Sequence, residues 1–128
     1  MIPTLITQLI DNTAGFTTIE HVRKLQPADA TPANIPALFV VRENGYSESN
    51  KSFPKLKQQN FRVISLYLVC SYELQEALEA QIYQAALGWQ LSPTWSSLQH
   101  IKDEPVSING TIIWHQYQFL TWQTIKQA

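Results

Sequence analysis

The sequence predicts an α+β domain: a mainly antiparallel sheet of about four strands, with an N-terminal helix and a central amphipathic helix packed on it. Three stretches carry this prediction. Ser71 to Gln90 has apolar residues at Leu74, Ala77, Leu78, Ile82 and Ala85, spacings of three and four that share one helix face. Phe61 to Cys70 alternates with both sets largely apolar, as a central strand covered on two faces does. Asn109-Gly110 reads as a hairpin turn between Val106–Ile108 and a final strand from Thr111 to about Ile125.

The remaining elements follow in chain order. Ile2, Leu5, Ile6, Leu9 and Ile10 have helical spacing, and Pro3 is tolerated in a first turn. Phe16 to Leu25 fits either a short strand or a helical turn. Pro27, Pro32 and Pro36 then punctuate a connector that cannot be regular helix. Ala37 to Arg42 is a compact apolar run and reads as a buried strand. Glu43 to Gln59 is polar, contains Pro54, and is expected to be a long, mobile surface loop. In the central helix Ser71 is placed to cap the start, Glu73 favours the positive end of the dipole, and Gly88 stops the helix. Trp89 could fold back over the apolar face. Beyond it Ser97 to Ile101 and Val106 to Ile108 flank a charged break, Lys102 to Pro105. The last strand becomes more apolar after Gln118, which suggests a bulge or a strand that runs past the edge of the sheet.

Composition narrows the function. The 128 residues, expected to form one domain, are 45% hydrophobic but only 15% charged, with a net charge of −1. So weakly charged a surface is easily desolvated and suits contact with copies or partners. No bulk field would gather nucleic acid or an anionic membrane. One cysteine, Cys70, excludes an internal disulfide. The N-terminal residues lack a basic region, so no signal peptide is expected, and no apolar run approaches the length of a membrane span.

Catalytic signatures are absent. His21, His100 and His115 have no zinc-binding spacing around them, and His115 fits a hydrogen-bonded sheet residue better than a ligand. No serine sits in a nucleophile elbow, and the four glycines form no phosphate loop. Asp103 and Glu104 suit an exposed hairpin better than an acid pair. The expectation is therefore no enzyme, no metal and no cofactor. Lys51, Lys55 and Lys57, with Tyr46 and Phe53, would suit a single-strand-gripping loop, but a solvated loop is the simpler reading. Four tryptophans, Trp89, Trp95, Trp114 and Trp122, crowd the C-terminal third. Core filling and partner anchoring are equally served, and Trp95 and Trp122, each beside a turn or the chain end, are the better interface candidates.

The order of features resembles the tail terminator proteins of long-tailed bacteriophages and prophages. The residues that carry the resemblance are Ile35 to Gly45, Phe61 to Val69, Glu76 to Pro93 and Ile112 to Gln123; the Ala-Leu-Gly-Trp-Gln junction at Ala86 to Gln90 is the most telling. The likeness covers most of the chain from about Pro3. It implies a virion structural protein of the tail or neck, assembled in the host cytoplasm. As a homo-hexameric ring it would cap the tail tube, stop its polymerisation and offer a surface to head–tail connector or neck proteins. Its partners would be further copies and the tail tube protein, with no membrane and no specific nucleic-acid binding, although DNA would pass through the ring lumen. The family has no catalytic residues to carry over. Candidate subunit or tube contacts are Arg42, Glu43, Tyr46, Lys51, Lys55, Lys57, Trp95 and Trp122. The segment Glu43 to Gln59 is expected toward the lumen or a neighbouring ring, and the final strand is a further candidate for contact across subunits. Two alternatives stand beside this: another head–tail joining, tail-completion or baseplate component, or a small-ligand-binding or enzymatic α+β domain.

Overall fold

The structure is a computed structural model that describes residues 2–23, 35–43, 45–50 and 57–126. The element order is α1 (Ile2–Asn12), β1 (Thr18–His21), β2 (Ala37–Arg42), β3 (Tyr46–Asn50), β4 (Lys57–Ser71), a 3-10 turn (Tyr72–Leu74), α2 (Gln75–Ala86), β5 (Gln99–Asn109) and β6 (Ile112–Lys126). The fold is α+β, as expected, but the sheet is larger and mixed. Five strands lie in the order β1-β2-β4-β6-β5, and β3 pairs with β4 alongside β2. Among the described residues only β1 and β2 run parallel; every other pair is antiparallel. Phe16 to Leu25, open between strand and turn, thus supplies a short strand.

The spine is the β4–β6 ladder. Each strand has 15 residues, and the register holds without interruption from Lys57↔Lys126 to Ser71↔Ile112. At about 3.4 Å per residue this ladder is roughly 48 Å long. Its inner part is buried on both faces. Ile64, Leu66, Leu68 and Cys70 turn toward the helices and meet Leu5, Leu9, Leu78 and Ile82 in the main core. Val69 turns the other way and packs with Ala37 and Phe39, against Trp114, Val22 and Ile35. Full burial of one such aliphatic side chain contributes roughly 1.5–3 kcal/mol, so this double-sided stretch anchors the fold.

The helices differ from expectation in detail. In α1, Ile2, Leu5 and Leu9 are buried while Ile10 faces solvent. α2 buries Leu78, Ile82, Ala85 and Ala86, but its first expected turn is 3-10, and Leu74 and Ala77 are exposed. The expected stripe is therefore shorter by a turn, because Tyr72 to Leu74 lies where the chain is still leaving the sheet. Ser71 has the extended backbone of a cap, yet its side chain makes no capping bond. Gly88 does end the helix, at φ +77°, and Trp89 folds back against the main core. α1 is tied to α2 by Gln8 Nε2, which donates to the Ala85 carbonyl at 3.0 Å.

Two further expectations are corrected. The long loop from Glu43 to Gln59 is strand at both ends: Tyr46–Asn50 forms β3 and Lys57 begins β4, in register Tyr46↔Phe61 to Asn50↔Lys57. Polar sequence reads as loop, but β4 offers a partner edge that satisfies the backbone whatever the side chains are. The charged break at Lys102 to Pro105 is also strand, inside β5. There an edge position accommodates Pro105, and register shifts at His100/Lys102 and Pro105/Ser107 absorb the irregularity. The hairpin turn is Gly110-Thr111. Gly110 has φ +64° and Thr111 does not share the positive φ, which matches a type II′ turn.

Candidate interaction surface

Beyond the helix-covered core the sheet continues as a three-stranded arm: β3, the first residues of β4 and the last residues of β6. β5 stops short of it, since its pairing with β6 begins at Gln99↔Leu120. The final strand thus extends beyond β5 but stays paired with β4 as far as Lys126, so it does not run past the sheet. Of the two options read from its composition, the bulge is met by the register shift between His100 and Lys102, opposite Phe119 and Gln118. β2 and β3 lie along the same edge of β4, separated by a one-residue change of register between Arg42↔Ile64 and Tyr46↔Phe61. The Glu43 N–H bridges this joint, donating to the Val63 carbonyl at 2.9 Å.

Arg62 fills the joint. Its Nη1 donates to the Phe61 carbonyl at 3.2 Å, and the guanidinium carbon lies 5.7 Å from the centre of the Trp95 ring. Arg62 Nε is buried and has no hydrogen-bond partner among the described residues. Gly45 backs onto the same place. A Cβ there would stand 2.7 Å from the Phe61 carbonyl oxygen and would also collide with the Arg62 guanidinium.

On the other side of the arm, Ser96 clasps β6. Its N–H donates to the Trp122 carbonyl at 2.8 Å, and its hydroxyl accepts from the Trp122 N–H at 3.0 Å. The buried Thr121 hydroxyl donates to the Ser96 carbonyl at 2.8 Å. On the face away from the helices, Phe61 stands opposite Trp122 and Val63 opposite Leu120. All four are half-buried and lie outside both core clusters.

Those of the expected contact residues that the structure describes fall on and around this arm. Arg42 is exposed at the end of β2, Glu43 is half-buried at the joint, Tyr46 opens β3 and Lys57 opens β4. Trp95 and Trp122 are both half-buried and are linked through Ser96, but they lie on opposite faces of the sheet. Lys51 and Lys55 are outside the described residues. Arg62 and Ser96 were not among the expected residues, and neither has a sequence signal: Arg62 acts on the carbonyl of its own neighbour Phe61 and on the ring of the distant Trp95, and Ser96 acts on the backbone of a distant strand.

A second cluster joins α2 to β5 and β6. His115 Nε2 donates to Asp103 Oδ1 at 2.9 Å, and His100 Nε2 lies 3.3 Å from Oδ2 of the same carboxylate. His115 is thus a hydrogen-bonded sheet residue, as its setting suggested. The Tyr117 hydroxyl donates to Glu79 Oε2 at 2.6 Å, and Tyr83 packs edge-on against both Tyr117 and His100. Burial, then the hydrogen bond to Glu79, pushes the Tyr117 hydroxyl far up from its ordinary 10.0. Tyr83 is pushed up to about 12 by burial, with the charges of Asp103 and Glu79 adding to it. These groups fasten the helix to the sheet. Among the described residues no group of three or more His, Cys, Asp or Glu is placed to hold a metal ion, and no helix is long and apolar enough to cross a membrane. A surface groove of about 390 Å³ runs along α1, lined by Pro3, Thr4, Thr7, Gln8, Asp11 and Trp89.

Set against known proteins, the chain matches no family model, and no curated protein matches it.

Proposed function

We propose that this chain is the subunit of a tail-terminator-type ring, a virion structural protein that caps a tail tube and presents a surface to the neck. The role is assembly, not catalysis. The observation that carries the reading is the arm. It leaves the core with a half-exposed apolar row, Phe61, Val63, Leu120 and Trp122, on the face the helices do not cover. Its two sides are unlike, β3 on one and the end of β6 on the other. A subunit with two different joining surfaces assembles head to tail, and such contacts close into rings when the rotation between neighbours allows. The low overall charge supports the same reading, because neighbouring subunits would meet with little desolvation of charge.

The test is mass in solution by light scattering, over a range of concentration and with tail tube protein added. A closed six-fold species, alone or on tube ends, is expected. A strict monomer that also ignores tube ends would overturn the proposal. Electron micrographs of particles lacking the protein separate this role from other head–tail joining roles: abnormally long tails are expected of a terminator.

A further inference from the structure

Among the described residues the sheet has four stretches of edge, and they are not equally protected. β5 is guarded by Pro105, two register shifts and the charged run Lys102-Asp103-Glu104. β1 is only four residues long and exposes Glu20 and His21. Short, charged, bulged or proline-bearing edges resist strand addition. β3 is short and carries Glu48, and the end of β6 carries Lys126, but neither has a proline or an internal register shift. Among the described residues nothing pairs with the outer side of β3, or with β6 beyond the Ser96 clasp.

The direction of the free backbone groups follows from alternation. In an antiparallel ladder successive residues turn their N–H and C=O to opposite sides. Trp122 turns both groups to Ser96, away from β4. Thr124 and Lys126 share that orientation and point to the open side. On the opposite flank Val63 turns its carbonyl to the Glu43 N–H. Phe61, Gln59 and Lys57 therefore face β3, and their register partners Tyr46, Glu48 and Asn50 face back. Ser47 and Ser49 are left pointing outward. β3 and β6 both run antiparallel to β4, so they run in the same direction.

From this we infer that a second copy of this chain docks on the arm by parallel strand addition, the β6 end of one copy against the β3 edge of the next, with Thr124 opposite Glu48. The Thr124 N–H donates to the Ser47 carbonyl of the neighbour. The neighbour's Ser49 N–H donates to the Thr124 carbonyl, and the Lys126 N–H donates to the Ser49 carbonyl. A second copy is the fitting occupant because the arm carries both halves of the joint, equal in number of free groups and running the same way. Rotation of one copy onto the next keeps strand direction, so the joint is parallel, and closure leaves neither edge open. A two-fold dimer through either edge alone would leave the other unpaired. This inference deepens the ring reading and rests on it.

The test is cross-linking with the double variant Glu48→Cys/Thr124→Cys and each single variant, oxidised at several concentrations with and without tail tube protein, alongside light scattering. Within one chain Glu48 and Thr124 both pair with Gln59 and so lie two strand spacings apart. That is about 9.6 Å, beyond the roughly 7 Å that a disulfide spans. The native Cys70 is buried. The double variant is expected to give a ladder of covalent oligomers while the single variants give none. Thr124→Pro, which removes an outward N–H and no bond to β4, should keep the circular dichroism of the fold and weaken assembly at least tenfold. Covalent dimers from either single variant would replace the head-to-tail joint by a two-fold one and overturn the inference. A closed ring by light scattering with no cross-link in the double variant would also overturn it, leaving the ring reading intact. A monomer under every condition would remove both.

Discussion

Ser96 and Trp122 are joined by two hydrogen bonds: the Ser96 N–H donates to the Trp122 carbonyl, and the Trp122 N–H donates to the Ser96 hydroxyl. The pair takes over from β5 where that strand ends, and it limits the open side of β6 to the residues beyond. One side chain thereby closes a gap in a sheet whose strands are of unequal length. Ser96→Ala leaves the half-buried Trp122 N–H without its acceptor. An unsatisfied group of this kind costs about 1–2 kcal/mol. The expected result is a lower urea midpoint with an unchanged slope; an unchanged midpoint would show that water replaces the hydroxyl at no cost.

Gly45 sits where no side chain fits. Its neighbour on one side is the Phe61 carbonyl, a backbone atom held in the sheet, and on the other the Arg62 guanidinium. Gly45→Ala must therefore shift the β2–β3 joint or expel Arg62 from Trp95. Overpacking of this kind costs typically about 1–3 kcal/mol. Thermal unfolding should show the loss, whereas Gly88→Ala meets no neighbouring atom and should act only through its positive φ. Equal stability of Gly45→Ala and the parent would contradict the close approach.

Much of this fold was legible, but β3 and the first residues of β4 in the arm were not, for physical reasons. β2 and the inner part of β4 announce themselves because burial on both faces demands apolar residues at successive positions, as Leu38, Phe39 and Val40 supply. α2 is legible from its period and from Gly88. β3 is illegible because Ser47, Glu48 and Ser49 are polar residues that carry no strand pattern, yet pair with β4. β5 is illegible at Lys102 to Pro105 because an edge strand with solvent on its free side tolerates charge and proline. Trp95 and Trp122 were identifiable as residue types suited to contacts, but nothing in the sequence places them on opposite faces or names Ser96 and Arg62 between them. The carboxylate shared by His100 and His115 is hidden too, because the register shifts in β5 move Asp103 relative to any simple count back from Gly110.

That shared carboxylate separates two kinds of charge on β5. Asp103 accepts from His115, whose side chain is only 13% exposed, while Lys102 and Glu104 pair in the open at 3.6 Å. Asp103→Ala strands the His115 N–H and should cost about 1 kcal/mol, the lower end for a lost hydrogen bond because Asp103 itself is partly solvated. Glu104→Ala removes a surface ion pair and should change stability by no more than about 0.5 kcal/mol. Chemical denaturation of both variants checks the order. Equal effects would mean that the histidine finds water as readily as the lysine does.

Alkaline pH should loosen the core before it reaches the backbone. Burial holds the Cys70 thiol up at about 11 against an ordinary 9.0, and Tyr83 at about 12 against 10.0. Tyr67 is raised as well, by burial first and then by the charge of Glu43. In each case the charged form is the deprotonated one, and the fold disfavours it. Below about pH 9 both folded and unfolded chains keep these protons, and the stability is fully present. Above that, the unfolded chain releases them first, so stability falls as pH rises through 9–10 and continues to fall until the folded groups ionise. The urea midpoint should therefore be level from pH 7.5 to 8.5 and decline steadily from pH 9 to 11. Tyr83→Phe, which removes one of the titrating hydroxyls, should make the decline shallower. A midpoint that stays level to pH 11 would mean that water reaches Cys70 and the α2 tyrosine in the folded protein.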